Sequence, residues 1–192
     1  MTDVAAGNEV PRRRADAVRN NGVLLDAAAA VFVRAGVEAP VRDIATEAGV
    51  GVGTIYRHFP TRTDLIVAVY RHQVEACAAA GEILLAEEET PYAAMVRWID
   101  LFVDFLVTKH GLAAAMHSDA AGFETLHAYF IDRLVPACAL LLDAAIASGE
   151  VDTRMNALQL MYGVGNLCIG DDDPRYDARL LVTHLLAGLR RG

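Results

Sequence analysis

A cluster of small, polar and cationic side chains near residue 55 has the chemistry of a surface that grips an anionic polymer. Gly53, Thr54, Tyr56, Arg57 and His58 lie almost side by side, and Arg62 follows one turn later. Thr54 and Tyr56 offer hydroxyls of the kind that bond phosphate oxygens, and His58 can donate to a phosphate. Arg57 presents a guanidinium fork to guanine, a contact worth about 1–3 kcal/mol of discrimination. Gly53 has no side chain, so another molecule's backbone can come close. Arg62 opens a predicted helix, where a cation and a helix N-terminus favour the same anion. A polar face that merely meets water is the plainer reading of these residues.

Such side chains read a duplex only when a second helix holds theirs rigidly at a steep angle. Three features build that corner. Ala45 is small where the next helix crosses. Gly49, four residues on, can take the positive φ of the turn. Val50 and Ile55 then fill the space between the helices. An ordinary helix hairpin would share this spacing. Around the corner, a first helix carries Val18, Leu24, Leu25, Ala28, Ala29, Phe32 and Val33 on one stripe, with Asp16 near its start and Ala35-Gly36 at its end. A second runs from Pro40 to Ala48 with Val41, Ile44, Ala45 and Ala48 inward. A third runs from Val52 to Phe59. Thr61 and Asp64 are spaced as a capping pair for a long fourth helix, Arg62–Glu89. Further helical patterns cover Tyr92–His110, Leu112–Ser118, Glu124–Ser148 (kinked at Pro136), Met155–Ile169 and Arg175–Arg191, and no strands are expected.

Composition bounds the possibilities. The 192 residues are 54% hydrophobic and 22% charged, enough to bury a core. The apolar stretches are too interrupted for a membrane span, and Met1 to Arg14 lacks the apolar core of a secretory signal. The three cysteines, Cys77, Cys138 and Cys168, are expected to be buried thiols of a cytoplasmic protein. The net charge of −8 is unevenly spread: residues 12–74 hold nine Arg against six acids, and residues 76–192 hold eight Lys/Arg against sixteen. A mildly basic N-terminal third on an acidic body orients a protein toward phosphate.

The stretch Val41-Arg42-Asp43-Ile44-Ala45, then Ala48 to Leu65 with its Gly-Thr-Ile-Tyr-Arg-His-Phe string, resembles the TetR family of repressors. Arg19-Asn20, Leu24-Leu25-Asp26-Ala27-Ala28, Phe32 and Gly36 look like that family's first helix. The likeness is strong over residues 14–66 and one of architecture beyond. It implies an all-α fold of about nine helices. Residues 1–13 would be a disordered basic arm, 14–60 a three-helix helix-turn-helix DNA-binding domain, and 61–192 a helical ligand-binding and dimerisation domain. It also implies a homodimer on a palindromic double-stranded operator, released by a small molecule. In that family's pattern Thr54, Tyr56, His58 and Arg62 would contact phosphate, Arg57 and Gly53 would face bases, and Arg42 would reach backbone or a base edge. The chain departs from the pattern at Pro40-Val41 and Gly51, where the family often has hydroxyl residues. Two readings of Arg12–Arg14 stay open: a contact along phosphate or in a minor groove, or a solvated tail.

In the C-terminal part, Trp98, Phe102, Phe105, Met116, His117, Phe123, His127, Phe130, Met161, Tyr162 and Asn166 are candidates for a largely apolar ligand pocket. Aromatics and Met at helical spacing are also what a plain core looks like. His117 with Asp119 or His110 supplies too few ligands for a metal, so none is expected, nor any cofactor. No catalytic triad, phosphate loop or paired-carboxylate motif stands out, which argues against an enzyme. Leu158, Met161, Tyr162, Gly165, Leu167, Leu181, His184, Leu185 and Gly188 could face a partner copy in a four-helix bundle. The competing functional reading is a helical protein-interaction module whose helix-turn-helix no longer reads DNA.

Overall fold

The computed structural model describes residues 9–115, 120–169 and 175–191. Among these residues there are eight helices: α1 (Glu9–Ala35), α2 (Val41–Ala48), α3 (Val52–His58), α4 (Arg62–Glu87), α5 (Pro91–Ala115), α6 (Ala120–Ala147), α7 (Ala157–Leu167) and α8 (Ala178–Ala187). The all-α reading holds. The helix count differs from nine because α5 continues through Gly111, where a break was expected. One glycine costs a helix only about 1 kcal/mol. The upstream face of α5, with Phe102, Phe105 and Leu106 buried, already fixes the helix. α6 likewise continues through Pro136, which lies on its exposed side, where water can take up the freed carbonyl. α1 starts earlier than Asp16 would set, because Pro11 is tolerated in a first turn. Glu9 to Arg13, expected within the disordered arm, are therefore helical. The Arg12–Arg14 side chains lie outside what the structure describes, as do Met116 and His117 and the side chain of Phe123.

α1, α2 and α3 form the N-terminal unit. Leu24, Leu25, Ala28, Val31 and Phe32 of α1 are buried and meet Ile44 and Ala45 of α2 and Ile55 of α3. Arg34 reaches from α1 to Glu47 on α2 at 3.2 Å. α2 ends where Gly49 takes φ 67° and ψ 28°, and the Val50 N–H then bonds the Ala45 carbonyl at 3.0 Å. That left-handed residue turns the chain sharply enough for α3 to start three residues later, at Val52.

α4 connects this unit to the rest. Its N-terminus carries the expected capping box: Asp64 N–H donates to the Thr61 hydroxyl oxygen at 3.1 Å, and Thr61 N–H donates to the Asp64 carboxylate at 3.0 Å. α4 packs against α1 behind it and against α5 and α6 ahead, so one continuous apolar core runs from Leu24 to Leu189. Two buried polar groups pin the body. The Tyr70 hydroxyl donates to the Leu126 carbonyl at 3.0 Å, and Trp98 Nε1 donates to the Cys77 carbonyl at 2.8 Å. α7 lies on α6 and α5, and α8 lies on α7. Arg179 of α8 pairs with Asp104 of α5, and the Asp152 N–H bonds the Leu189 carbonyl at 3.0 Å, tying the end of α8 to the α6–α7 connection. Among the described residues, no helix is long and apolar enough to cross a membrane.

Candidate nucleic-acid interface

α3 buries Ile55 and leaves the rest of its length to the outside. Ile55 is 1% exposed and locks the helix to the core, whereas Tyr56 is 49% exposed. Gly53, Arg57 and His58 are exposed, and Thr54 is half-buried. A Cβ placed at Gly51 or Gly53 would meet no protein atom within 4 Å. The chain's own packing therefore does not demand glycine there. In the free protein Arg57 folds back on its helix: Nε donates to the Gly53 carbonyl and Nη2 to the Thr54 hydroxyl, both at 3.3 Å. These long, exposed bonds hold the guanidinium over the outer face at little cost to release. Arg42, at the start of α2, is exposed and lies 3.5 Å from the neighbouring Asp43 carboxylate. Pro40 and Gly51, the N-caps of α2 and α3, supply no side-chain cap, so the first N–H groups of both helices are left uncapped by side chains.

Arg62 is placed differently from the others. Its Nη2 donates to the Val37 and Ala39 carbonyls, the latter at 2.7 Å, and its Nε lies 3.8 Å from Glu38. The guanidinium is turned away from the α3 face and into the α1–α2 loop. It fixes that loop, and with it the entry to α2. The sequence placed Arg62 at a helix start beside the cluster, but its partners lie some two dozen residues upstream and leave no local signal.

The C-terminal half holds a cavity of about 210 Å³ between α5, α6 and α7. Of the residues expected to line it, Phe102, Phe130, Met161, Tyr162 and Asn166 do. Trp98 and Phe105 stand one layer behind. Trp98 stacks on Phe102 with ring centroids 5.7 Å apart, and Phe105 on Phe130 at 5.6 Å. His127 stacks on Phe130 at 5.5 Å, with its proton affinity lowered by burial and then by the Lys109 charge, against a smaller opposing pull from Glu124. Leu106, Lys109, Ile131, Leu158 and Ile169 also line the cavity, and sequence reasoning did not assign them there. The signal for Lys109 was available: it follows Phe102 and Leu106 at i+7 and i+3 on one helical face.

The residues proposed to meet a partner copy divide. Leu158, Tyr162, Leu181 and His184 are exposed, Gly165 and Leu185 are half-buried, and Gly188 is exposed at the end of α8. Met161 is 3% exposed and belongs to the inside of its own protomer, because it sits on the α7 face turned to the cavity. Leu180 and Ile169, not singled out from the sequence for this surface, are 51% and 63% exposed. Cys77, Cys138 and Cys168 are all buried, and burial pushes the Cys77 and Cys138 thiols up to about 12. Among the described residues, no three His, Cys, Asp or Glu side chains gather as a metal site.

Comparison with known proteins places this architecture. Residues 24–69, from the middle of α1 into α4, match the profile of the bacterial regulatory proteins of the tetR family. A solved TetR transcriptional regulator from Streptomyces coelicolor is 34% identical, with 88% of this chain and 98% of that one covered and a TM-score of 0.73. A TetR transcription regulatory protein from Mycobacterium vanbaalenii is 29% identical, with coverage of 93% and 99% and a TM-score of 0.65. The HTH-type transcriptional repressor KstR of Mycolicibacterium smegmatis is 29% identical over 206 residues, spanning 100% of this chain and 87% of its own length. The fold, the register of the helix-turn-helix and a 34% identical relative matched over nearly all its length agree on one assignment: this chain belongs to the TetR family of transcriptional regulators.

Proposed function

We propose that the protein is a ligand-released repressor that binds a palindromic operator as a homodimer. The observation that carries this reading is the α3 face. Thr54, Tyr56, Arg57 and His58 follow two glycines, Gly51 and Gly53, that have open space beyond them, on a helix anchored by Ile55. In this reading Arg57 swings out to a guanine edge, Thr54, Tyr56 and His58 hold phosphates, and Arg42 reaches the backbone from α2. Arg62 acts from behind by fixing the α1–α2 loop. The similarity to a protein named a repressor supports repression over activation. The exposed apolar side chains of α7 and α8 support pairing of two copies, and the cavity beside α7 supports control by a small molecule.

Selection of bound duplexes from a random DNA pool tests the proposal. Enrichment of an inverted repeat with half-sites about one helical turn apart, ~34–36 Å, is the expected outcome. Arg57→Ala should flatten the base preference at one position of each half-site by about 1–3 kcal/mol. A pool that yields no common sequence would leave the chain as an interaction module with an idle helix-turn-helix.

A further inference from the structure

Lys109 is the single lysine of the chain; every other Lys/Arg position is arginine. It lines the cavity between α5, α6 and α7, half-buried, with its Nζ 4.3 Å above the centre of the Phe130 ring. Among the described residues it has neither a carboxylate partner nor a hydrogen-bond acceptor, whereas Arg34, Arg133 and Arg179 each pair with an acid. A ring face returns to an ammonium only a small part of what water gives it. That leaves much of the cost of a partly desolvated cation uncompensated. Burial accordingly lowers the proton affinity of Lys109. The rest of the wall is mostly apolar, Phe102, Leu106, Phe130 and Met161 among it, and its neutral polar side chains are the Asn166 amide and the Tyr162 phenol.

We propose that this cavity takes a small carboxylic acid with an apolar body, its carboxylate docked on the Lys109 ammonium and its body against Phe102, Leu106 and Phe130. The proposal rests on the reading of the cavity as the inducer site and gives that site a ligand class. A single ammonium with one amide and one phenol suits a monoanion. A phosphate dianion calls for more donors, and usually for the planar fork of arginine. The volume, about 210 Å³, lies below the ~300–1,000 Å³ of drug-sized pockets and favours a short body.

Trp98, the chain's single tryptophan, stacks on Phe102 and so reports on the cavity by its fluorescence. The full-length protein is titrated at neutral pH with sodium octanoate and with octanamide, which has the same body without the charge. Octanoate should give a saturable change and bind at least about tenfold more tightly than octanamide, the scale of one hydrogen bond to a charged group. Lys109→Met should erase that preference and Lys109→Arg should keep most of it. Should Lys109→Met not fold, acetylation of the unmodified chain read by peptide mass decides: octanoate slows modification of Lys109 and octanamide does not. Equal binding of the two probes overturns the carboxylate assignment while leaving the cavity a ligand site. Binding of neither overturns the assignment together with the cavity's role.

Discussion

Arg62 and Arg57 are both arginines beside the same short helix, and their surroundings give them opposite work. Arg57 is exposed, held by two 3.3 Å bonds to its own helix, and free to leave. Arg62 is bonded to the Val37 and Ala39 carbonyls, and its link to the largely exposed Glu38 adds little. Removing Arg62 strands two loop carbonyls, so Arg62→Met should lower the unfolding free energy by about 2 kcal/mol in urea titrations. Because its guanidinium faces the protein, the slope of log affinity against log salt for operator DNA should not change. A slope reduced by about 0.9 would return Arg62 to the phosphates. Gly53, Tyr56, Arg57 and His58, with the half-buried Thr54, were legible as one group because a single helix sets their spacing. The role of Arg62 was not, because the Val37–Ala39 loop that gives it meaning comes from another part of the chain; for Lys109 the helical face could be read, but not the Phe130 ring it lies over.

At the scale of elements, the α2–α3 corner depends on one backbone conformation. Gly49 stands at φ 67°, where a β-carbon meets the following carbonyl at a cost of about 1–2 kcal/mol. Gly49→Val should therefore destabilise the protein by at least that amount, and Gly49→Asn by less, since Asn tolerates the left-handed region. Equal thermal unfolding of the two variants would show that the turn does not need this conformation. This corner and the Thr61–Asp64 box could be read from the sequence because both are written within three or four residues. A third local signal was open to the same reading: Asn156 and Gln159 form a capping box that starts α7 at Ala157, two residues after the expected Met155. The course of α5 through Gly111 was not readable locally. Packing of α5 on α4 and α6 overrules a weak helix breaker, and packing is a property of the assembled body.

For the whole molecule, the proposal requires two helix-turn-helix units held at a fixed spacing by the C-terminal halves. Leu158, Tyr162, Leu180 and Leu181 place apolar surface on the outside of α7 and α8, and α7 also forms one wall of the cavity. A ligand that prefers one seating of α7 would thereby shift the spacing of the pair, which is the coupling release requires. Leu181→Asp should convert the dimer to monomers in sedimentation experiments and weaken binding to a two-half-site duplex far more than to a single half-site. An unchanged dimer would move the interface elsewhere. The α3 face itself is tested most directly by the operator affinity of Gly53→Ala, measured by fluorescence anisotropy on the selected duplex. No protein atom lies within 4 Å of the added methyl, and alanine favours a helix over glycine by about 1 kcal/mol, so the variant should be at least as stable as the parent. Its affinity should nonetheless fall by an order of magnitude or more, because the methyl stands where the DNA would approach. Parent-like affinity in this well-folded variant would contradict the account.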